Sequence, residues 1–252
     1  MHAIILAAGR GSRLGGLTDT TPKCMMTVGG RTLLERQIEA YRTYGVEVAA
    51  VRGYLADRIT PPGVRTFDNP EWETTGLLTS LFCAEPAMEN GFFISYGDTT
   101  FRPEFVGLIL DALKAGHPMA GIVDTAWERV YEGRDWHPPE QAENVLVDDN
   151  GHMTAVGKRV PGSGSLGEFI GLLGVSAEAA QAWRREYHAL LDRVGQDGAW
   201  GQLGTVRRAY SADLLQHLID QGHSAYAVTV EGGWREIDTP EDLELAQAAV
   251  TW

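Results

Sequence analysis

Two cations and two carboxylates, scattered through a chain of 252 residues, are the groups best placed to do chemistry. Gly9-Arg10-Gly11-Ser12-Arg13 follows directly on an apolar run, and Pro22-Lys23 comes shortly after it. Glycines at that point let the backbone turn tightly and aim several N–H groups at one anion, while Arg13 and Lys23 add full positive charges. The combination reads as a cradle for a triphosphate. Asp98, in Ser95-Tyr96-Gly97-Asp98-Thr99, and Asp238, in Glu236-Ile237-Asp238-Thr239-Pro240, each stand where a strand gives way to a turn. Magnesium is a hard cation that takes one or two protein carboxylates and completes its octahedron with phosphate oxygens and water, so this pair is the candidate metal site.

Two familiar phosphate motifs are excluded. The Walker spacing Gly-x-x-x-x-Gly-Lys-Ser/Thr is absent from the chain, and the dinucleotide fingerprint would need a glycine where Leu14 stands.

The elements that must position these residues follow from periodicity. Apolar side chains at helical spacing over 33–44, with Gly45 to end the helix and a strand over 46–51, make a βαβ unit with the first strand. A second unit is predicted from a buried strand over 91–96, a helix over 103–115 opened by Pro103 and closed by Gly116, and a strand over 120–123. Such alternation predicts an α/β fold with a Rossmann-like, mostly parallel sheet covered by helices on both faces and ligands at the carboxyl ends of its strands. The pattern breaks between 127 and 167. There, strands over 144–147 and 153–156 flank Asp149-Asn150-Gly151, a hairpin-turn signal, so one domain over 1–252 with a small inserted β-hairpin is expected. Pro161-Gly162-Ser163-Gly164-Ser165 has the composition of a flexible connection and is a candidate lid. Helices over 177–194 and 211–220, a strand over 226–230, and a last helix capped by Thr239 with Pro240 in its first turn complete the reading.

Composition narrows the partners. Thirty-four acidic against 21 basic residues give a net charge of −13, which disfavours nucleic acid and anionic membrane and leaves any anion site to be made locally. Cys24 and Cys83 are too few for a disulfide framework or a zinc site and are expected as buried thiols. The seven histidines have no ligand spacing, and only His137 draws notice, through its neighbours. With no basic region ahead of the first apolar run and no apolar segment of membrane-spanning length, a cytoplasmic protein is expected.

The stretch Leu6-Ala7-Ala8-Gly9-Arg10-Gly11-Ser12-Arg13 with Pro22-Lys23 resembles the signature of nucleotidyltransferases, enzymes that join a nucleoside monophosphate to a phosphorylated sugar, alcohol or phosphonate. The resemblance implies a GT-A-like fold and Mg²⁺-dependent catalysis in which Asp98 and Asp238 hold the metal and Arg13 and Lys23 serve the reacting phosphates. It also implies nucleotide contacts from Leu6, Ala8, Gly9, Arg10, Gly11, Ser12, Arg13, Thr75, Ser80 and Gly97. Further segments, namely Ile94 to Asp98 with Phe101-Arg102, Tyr131-Glu132-Gly133-Arg134 with His137-Pro138 and Ala142-Glu143, Gly167 to Gly171, and Trp234 to Asp242, are similar to the cytidylyltransferases of phosphonate biosynthesis. CTP and a small phosphonate are then the expected substrates, with phosphonoformate, hydroxyethylphosphonate and 2-aminoethylphosphonate as candidates.

Arg129, Tyr131, Arg134, His137, Lys158 and Glu168 are the candidate acceptor contacts. Arginines there suit an anionic acceptor, and the extra carboxylate of phosphonoformate would use them best. Trp127, Tyr131 and Trp136 offer a different use, a box for the quaternary ammonium of choline phosphate. The same segment is rich in acidic residues, so its cations are also candidates for surface ion pairs. Two more readings stay open, a sugar-1-phosphate nucleotidyltransferase and a non-enzymatic nucleotide-binding relative. A non-enzymatic relative predicts loss of Lys23 or of a metal aspartate, and all three are present. The choice of cytosine rests on resemblance alone.

Overall fold

The computed structural model describes residues Met1–Trp252, and its centre is a nine-stranded mixed sheet. β1 (His2–Ala7) lies inside it, with Ala3 to Ala7 all buried, because a parallel strand covered on both faces must be apolar throughout. Next come two short strands, β2 (Thr27–Val28) and β3 (Arg31–Thr32), joined through Gly29 and Gly30, both at positive φ. Thr32 then caps α1 (Leu33–Thr43): its hydroxyl accepts from the Glu35 N–H while the Glu35 carboxylate accepts from the Thr32 N–H. β4 (Glu47–Arg52) and β5 (Arg65–Asp68) follow, then α2 (Leu77–Cys83) and β6 (Phe92–Tyr96). After the short β7 (Thr99–Phe101) come α3 (Glu104–Lys114) and β8 (Met119–Asp124).

The region where the alternation breaks holds the single turn α4 (Glu128–Tyr131) and the hairpin β9 (Asn144–Val147) and β10 (Met153–Gly157). Asp148 closes its turn by accepting from the Asn150 and His152 N–H groups, each at 2.9 Å. The chain continues through β11 (Gly167–Val175), α5 (Ala177–Val194), α6 (Ser211–Asp220), β12 (Tyr226–Val230), β13 (Trp234–Glu236) and α7 (Pro240–Ala249).

Strand order runs β10-β9-β11-β6-β1-β4-β5, with β8 pairing β11 and β12. The run from β6 to β5 is parallel, as is β8 with β12, whereas β11 is antiparallel to β6, β8 and β9. Sequence periodicity does not reveal β11. All nine of its residues are buried, so no polar alternation marks it, and three glycines interrupt its apolar run. Its register breaks between Phe169 and Leu173, around Gly171 at φ +75°, and a Cβ there would come within 2.2 Å of the Tyr96 ring. At this bulge one edge of the strand passes from β9 to β6, while the other edge pairs with β8 before and after it.

Helices cover both faces. α2, α5 and α6 bury their apolar sides in one core with Ile4 and Leu6, and α1 and α3 in the other with Ala3 and Ile5. A third, smaller core joins Leu14, Met26, Val28 and Leu33 to Ile237, Ala246 and Val250, so the early loop and α7 share one apolar contact. No helix is long and apolar enough to cross a membrane.

Candidate active site

Asp98 follows the end of β6, and Asp238 stands two residues beyond β13. What brings these distant positions together is the antiparallel ladder of β7 with β13, in which Thr99 faces Glu236 and the Ile237 N–H donates to the Asp98 carbonyl at 2.9 Å. The ladder is anchored at both sides. Buried Gln37 of α1 donates to the carbonyls of Tyr96 and Thr99 at 2.8 and 2.7 Å, fixing the turn that carries Asp98. Fully buried Asp124, at the end of β8, accepts from the Trp234 indole N–H at 2.8 Å and from the Gly232 N–H at 2.9 Å. At the start of α7, Thr239 and Asp242 form a capping box, and Asp242 also accepts from the Asp238 N–H at 2.9 Å.

Both carboxylates meet at one ammonium. Lys23 Nζ donates to Asp98 Oδ2 at 2.7 Å and to Asp238 Oδ1, and Arg13 donates to the other Asp238 oxygen and to Gln141 Oε1 at 2.8 Å. Gly11, at φ +68°, is required for this, because a Cβ there would lie 2.7 Å from the Lys23 stem. Gly97 likewise lets the turn after β6 press on β1, where a Cβ would meet the Leu6 carbonyl oxygen at 2.5 Å. Burial opposes the charge on Lys23, but Asp98 and Asp238 more than reverse that and hold its pKa above the ordinary value. Asp238 suffers the same desolvation, which Lys23 and Arg13 outweigh, and its pKa is drawn down to about 2.

Arg13, Asp98, Gln141 and Asp238 line a cleft of about 760 Å³, counting its open mouth, together with Leu6, Gly97, Lys158, Glu168 and Tyr210, and Lys23 is bonded to its two aspartates. Of the residues picked from the sequence, Leu6, Arg13, Lys23, Asp98, Gly97, Lys158, Glu168 and Asp238 therefore gather in one place. Gly9 and Arg10 are exposed, with Arg10 paired to Asp19 at 3.1 Å, while Ser12 is exposed too and Ala8 buried. Thr75 and Ser80 instead accept from the amide of buried Asn69, at 2.8 and 3.0 Å, and so brace the loop ahead of α2.

The arginines expected at the acceptor lie elsewhere. Arg129 is exposed, 3.9 Å from Glu231, and Arg134 is buried with its Nε on Asp242 at 2.6 Å. Arg134 Nη2 also contacts His137 Nδ1, and the other ring nitrogen, Nε2, faces Glu236 at 3.6 Å. The aromatic box is closed too: Trp127 meets Tyr131 edge-on with centroids 5.4 Å apart, the Arg134 guanidinium covers the Tyr131 face at 4.7 Å, and Trp136 projects into solvent. Cys24 is buried as expected, Cys83 only partly.

Sequence reasoning missed Gln37 and Gln141, and it singled out the segments that hold Glu143 and Asp242 without giving either residue a role. Glu143 is buried, accepts from the Tyr96 hydroxyl at 3.2 Å, and is pushed up to about 7 by burial, with Lys158 opposing. His137, Glu236 and Asp238 also cluster closely enough to share a cation, although their sequence spacing announces no such set.

Residues 3–229 match the MobA-like NTP transferase domain. The chain is 30% identical to a CTP:phosphoglutamine cytidylyltransferase from Campylobacter jejuni subsp. jejuni, over 97% of this chain and 98% of that protein. It is 28% identical to a 2-aminoethylphosphonate cytidylyltransferase from Lancefieldella rimae, over 78% and 75% of the two. Its fold is similar to that of the CTP:phosphocholine cytidylyltransferase from Streptococcus pneumoniae, with a TM-score of 0.70 at 20% identity over 98% and 97% of the two chains.

Proposed function

Because the chain belongs to the MobA-like NTP transferase family, we propose that it transfers CMP from CTP to a small acceptor ending in a phosphonate or phosphate, releasing pyrophosphate. The names of its relatives support both the nucleotide and the acceptor class. The observation that carries the reading is the convergence of Asp98 and Asp238 on the Lys23 ammonium beside the glycine turn.

The chemistry asks little of a general base. An acceptor oxygen that is already ionised near neutral pH attacks the α-phosphorus; the new P–O bond forms as the bond to the bridging oxygen of the β-phosphate breaks, and pyrophosphate leaves with that electron pair. Rate must come from positioning and charge. Lys23 and Arg13 are the cations at the reacting phosphates, and the backbone around Gly9 and Gly11 holds the rest of the triphosphate. Asp238, ionised down to about pH 2, keeps both cations oriented until phosphate oxygens compete for them.

A divalent ion fits the same residues. Asp98 and Asp238 are hard oxygen donors that already share one cation, and Asp98 Oδ1 is buried without a hydrogen-bond donor. Held by them, Mg²⁺ would supply neutralisation of the charge that builds on the phosphates.

Pyrophosphate release from each of four nucleoside triphosphates, in the presence of Mg²⁺ and a panel of phosphonates and phosphomonoesters, tests the reading. CTP should be preferred, and Asp98→Asn and Asp238→Asn should each lower kcat by about a thousandfold or more. Retention of most of the rate by either variant would remove that aspartate from the machinery.

A further inference from the structure

Glu168 stands where β11 pairs on both sides, facing Asn144 on β9 and Asp124 on β8, just before the register breaks. It is 5% exposed and lines the cleft that holds Asp98 and Asp238. One oxygen accepts from the Tyr131 hydroxyl at 2.7 Å, and the other, Oε2, is buried and receives no hydrogen bond. A buried acceptor left without a donor is costly, more so when it carries charge. A ligand that brings N–H groups removes that cost.

The charge of the cleft selects among ligands. Its wall presents Arg13 and Lys158, with the Lys23 ammonium bonded to Asp98 and Asp238, against the five carboxyl groups of Asp98, Glu143, Glu168, Glu236 and Asp238. The charge of Arg134 reaches Glu168, but its side chain lines a separate hollow against α7 and is engaged with Asp242, so it is no direct contact for an acceptor in the cleft. A second anionic group on the acceptor would therefore face carboxylates, against the expectation that phosphonoformate suits this chain best. A quaternary ammonium has no N–H to donate, and the rings that would have to face it are packed away or stand in solvent.

We propose that the acceptor is a short phosphonate or phosphate ester carrying a protonated primary amine, and that Glu168 receives this amine as the residue determining specificity. The inference rests on the nucleotidyl transfer proposed above. Burial pushes Glu168 up to about 8, so a bound cation is what would keep it ionised at neutral pH.

The test measures initial rates of pyrophosphate release by the full chain with CTP and Mg²⁺, using 2-aminoethylphosphonate, its N,N,N-trimethyl form, 2-hydroxyethylphosphonate and phosphonoformate. The primary amine should exceed each of the others in kcat/KM by about tenfold or more, the size expected for a hydrogen bond to a charged group. In Glu168→Gln the ratio of amine to hydroxyl acceptor should fall toward one. Preference for the hydroxyl, trimethylated or carboxylated acceptor, or an amine preference that survives Glu168→Gln, would overturn the assignment while leaving the transfer reaction standing. If Glu168→Gln does not fold, the ranking on the unmodified chain decides alone. Absence of pyrophosphate with every acceptor and every nucleotide would overturn the transfer reaction, and this inference with it.

Discussion

Glu143 is a side chain whose charge opposes the fold around it. Its pKa of about 7 lies above the ordinary carboxylate value, so its contribution to stability is complete below that ordinary value and is lost as pH rises through about 7. Glu143→Gln should accordingly raise the thermal midpoint at pH 8 by a few degrees and at pH 4 by less, as scanning calorimetry would register. Asp238 has the opposite sign. With its pKa near 2, it stabilises the fold fully above the ordinary carboxylate range and gives that up as pH falls toward 2. At this scale the sequence discloses the residues with an unusual local setting. Lys23 and Arg13 are legible through Gly9 and Gly11, and Asp98 and Asp238 through the strand ends before them. Gln37 is not, since a lone polar residue on a helix looks the same whether it faces water or, as here, ties down a turn brought in from another part of the chain.

Among the elements, α7 and β11 decide how well the site is aimed. The α7 cap is a closed exchange: the Thr239 hydroxyl accepts from the Asp242 N–H at 3.2 Å, and the Asp242 carboxylate accepts from the Thr239 N–H at 2.8 Å. Thr239→Ala should cost about 1 kcal/mol in urea unfolding and lower kcat, because the cap also fixes the backbone of Asp238. Gly171→Ala should cost more than about 2 kcal/mol, combining left-handed backbone with a clash against a Tyr96 ring that Glu143 and Ser211 hold by its hydroxyl. An unchanged midpoint in that variant would show that the bulge tolerates a side chain. The helices over 177–194 and 211–220 and the strand over 226–230 are legible to the residue, as caps and periodicity are local signals. β7 and β13 are not, because three-residue strands exist only through their pairing with each other.

For the whole molecule, a net charge of −13 surrounds a site whose nucleotide half depends on a few cations. Arg13 and Lys23 come from the start of the chain, and Asp238 and its cap from the end; Leu14, Val28, Ile237 and Val250 pack them into one small core. Contacts of that sequence separation form late, and chains of this length commonly fold through intermediates. After dilution from denaturant, recovery of pyrophosphate release should trail recovery of far-ultraviolet ellipticity; superimposable time courses would contradict this. The shared core therefore has a consequence for biosynthesis. A polypeptide still emerging from the ribosome, with Asp238 and α7 not yet released, would carry Lys23 with one of its two carboxylate partners missing, and competence for turnover would arrive only once that segment had emerged.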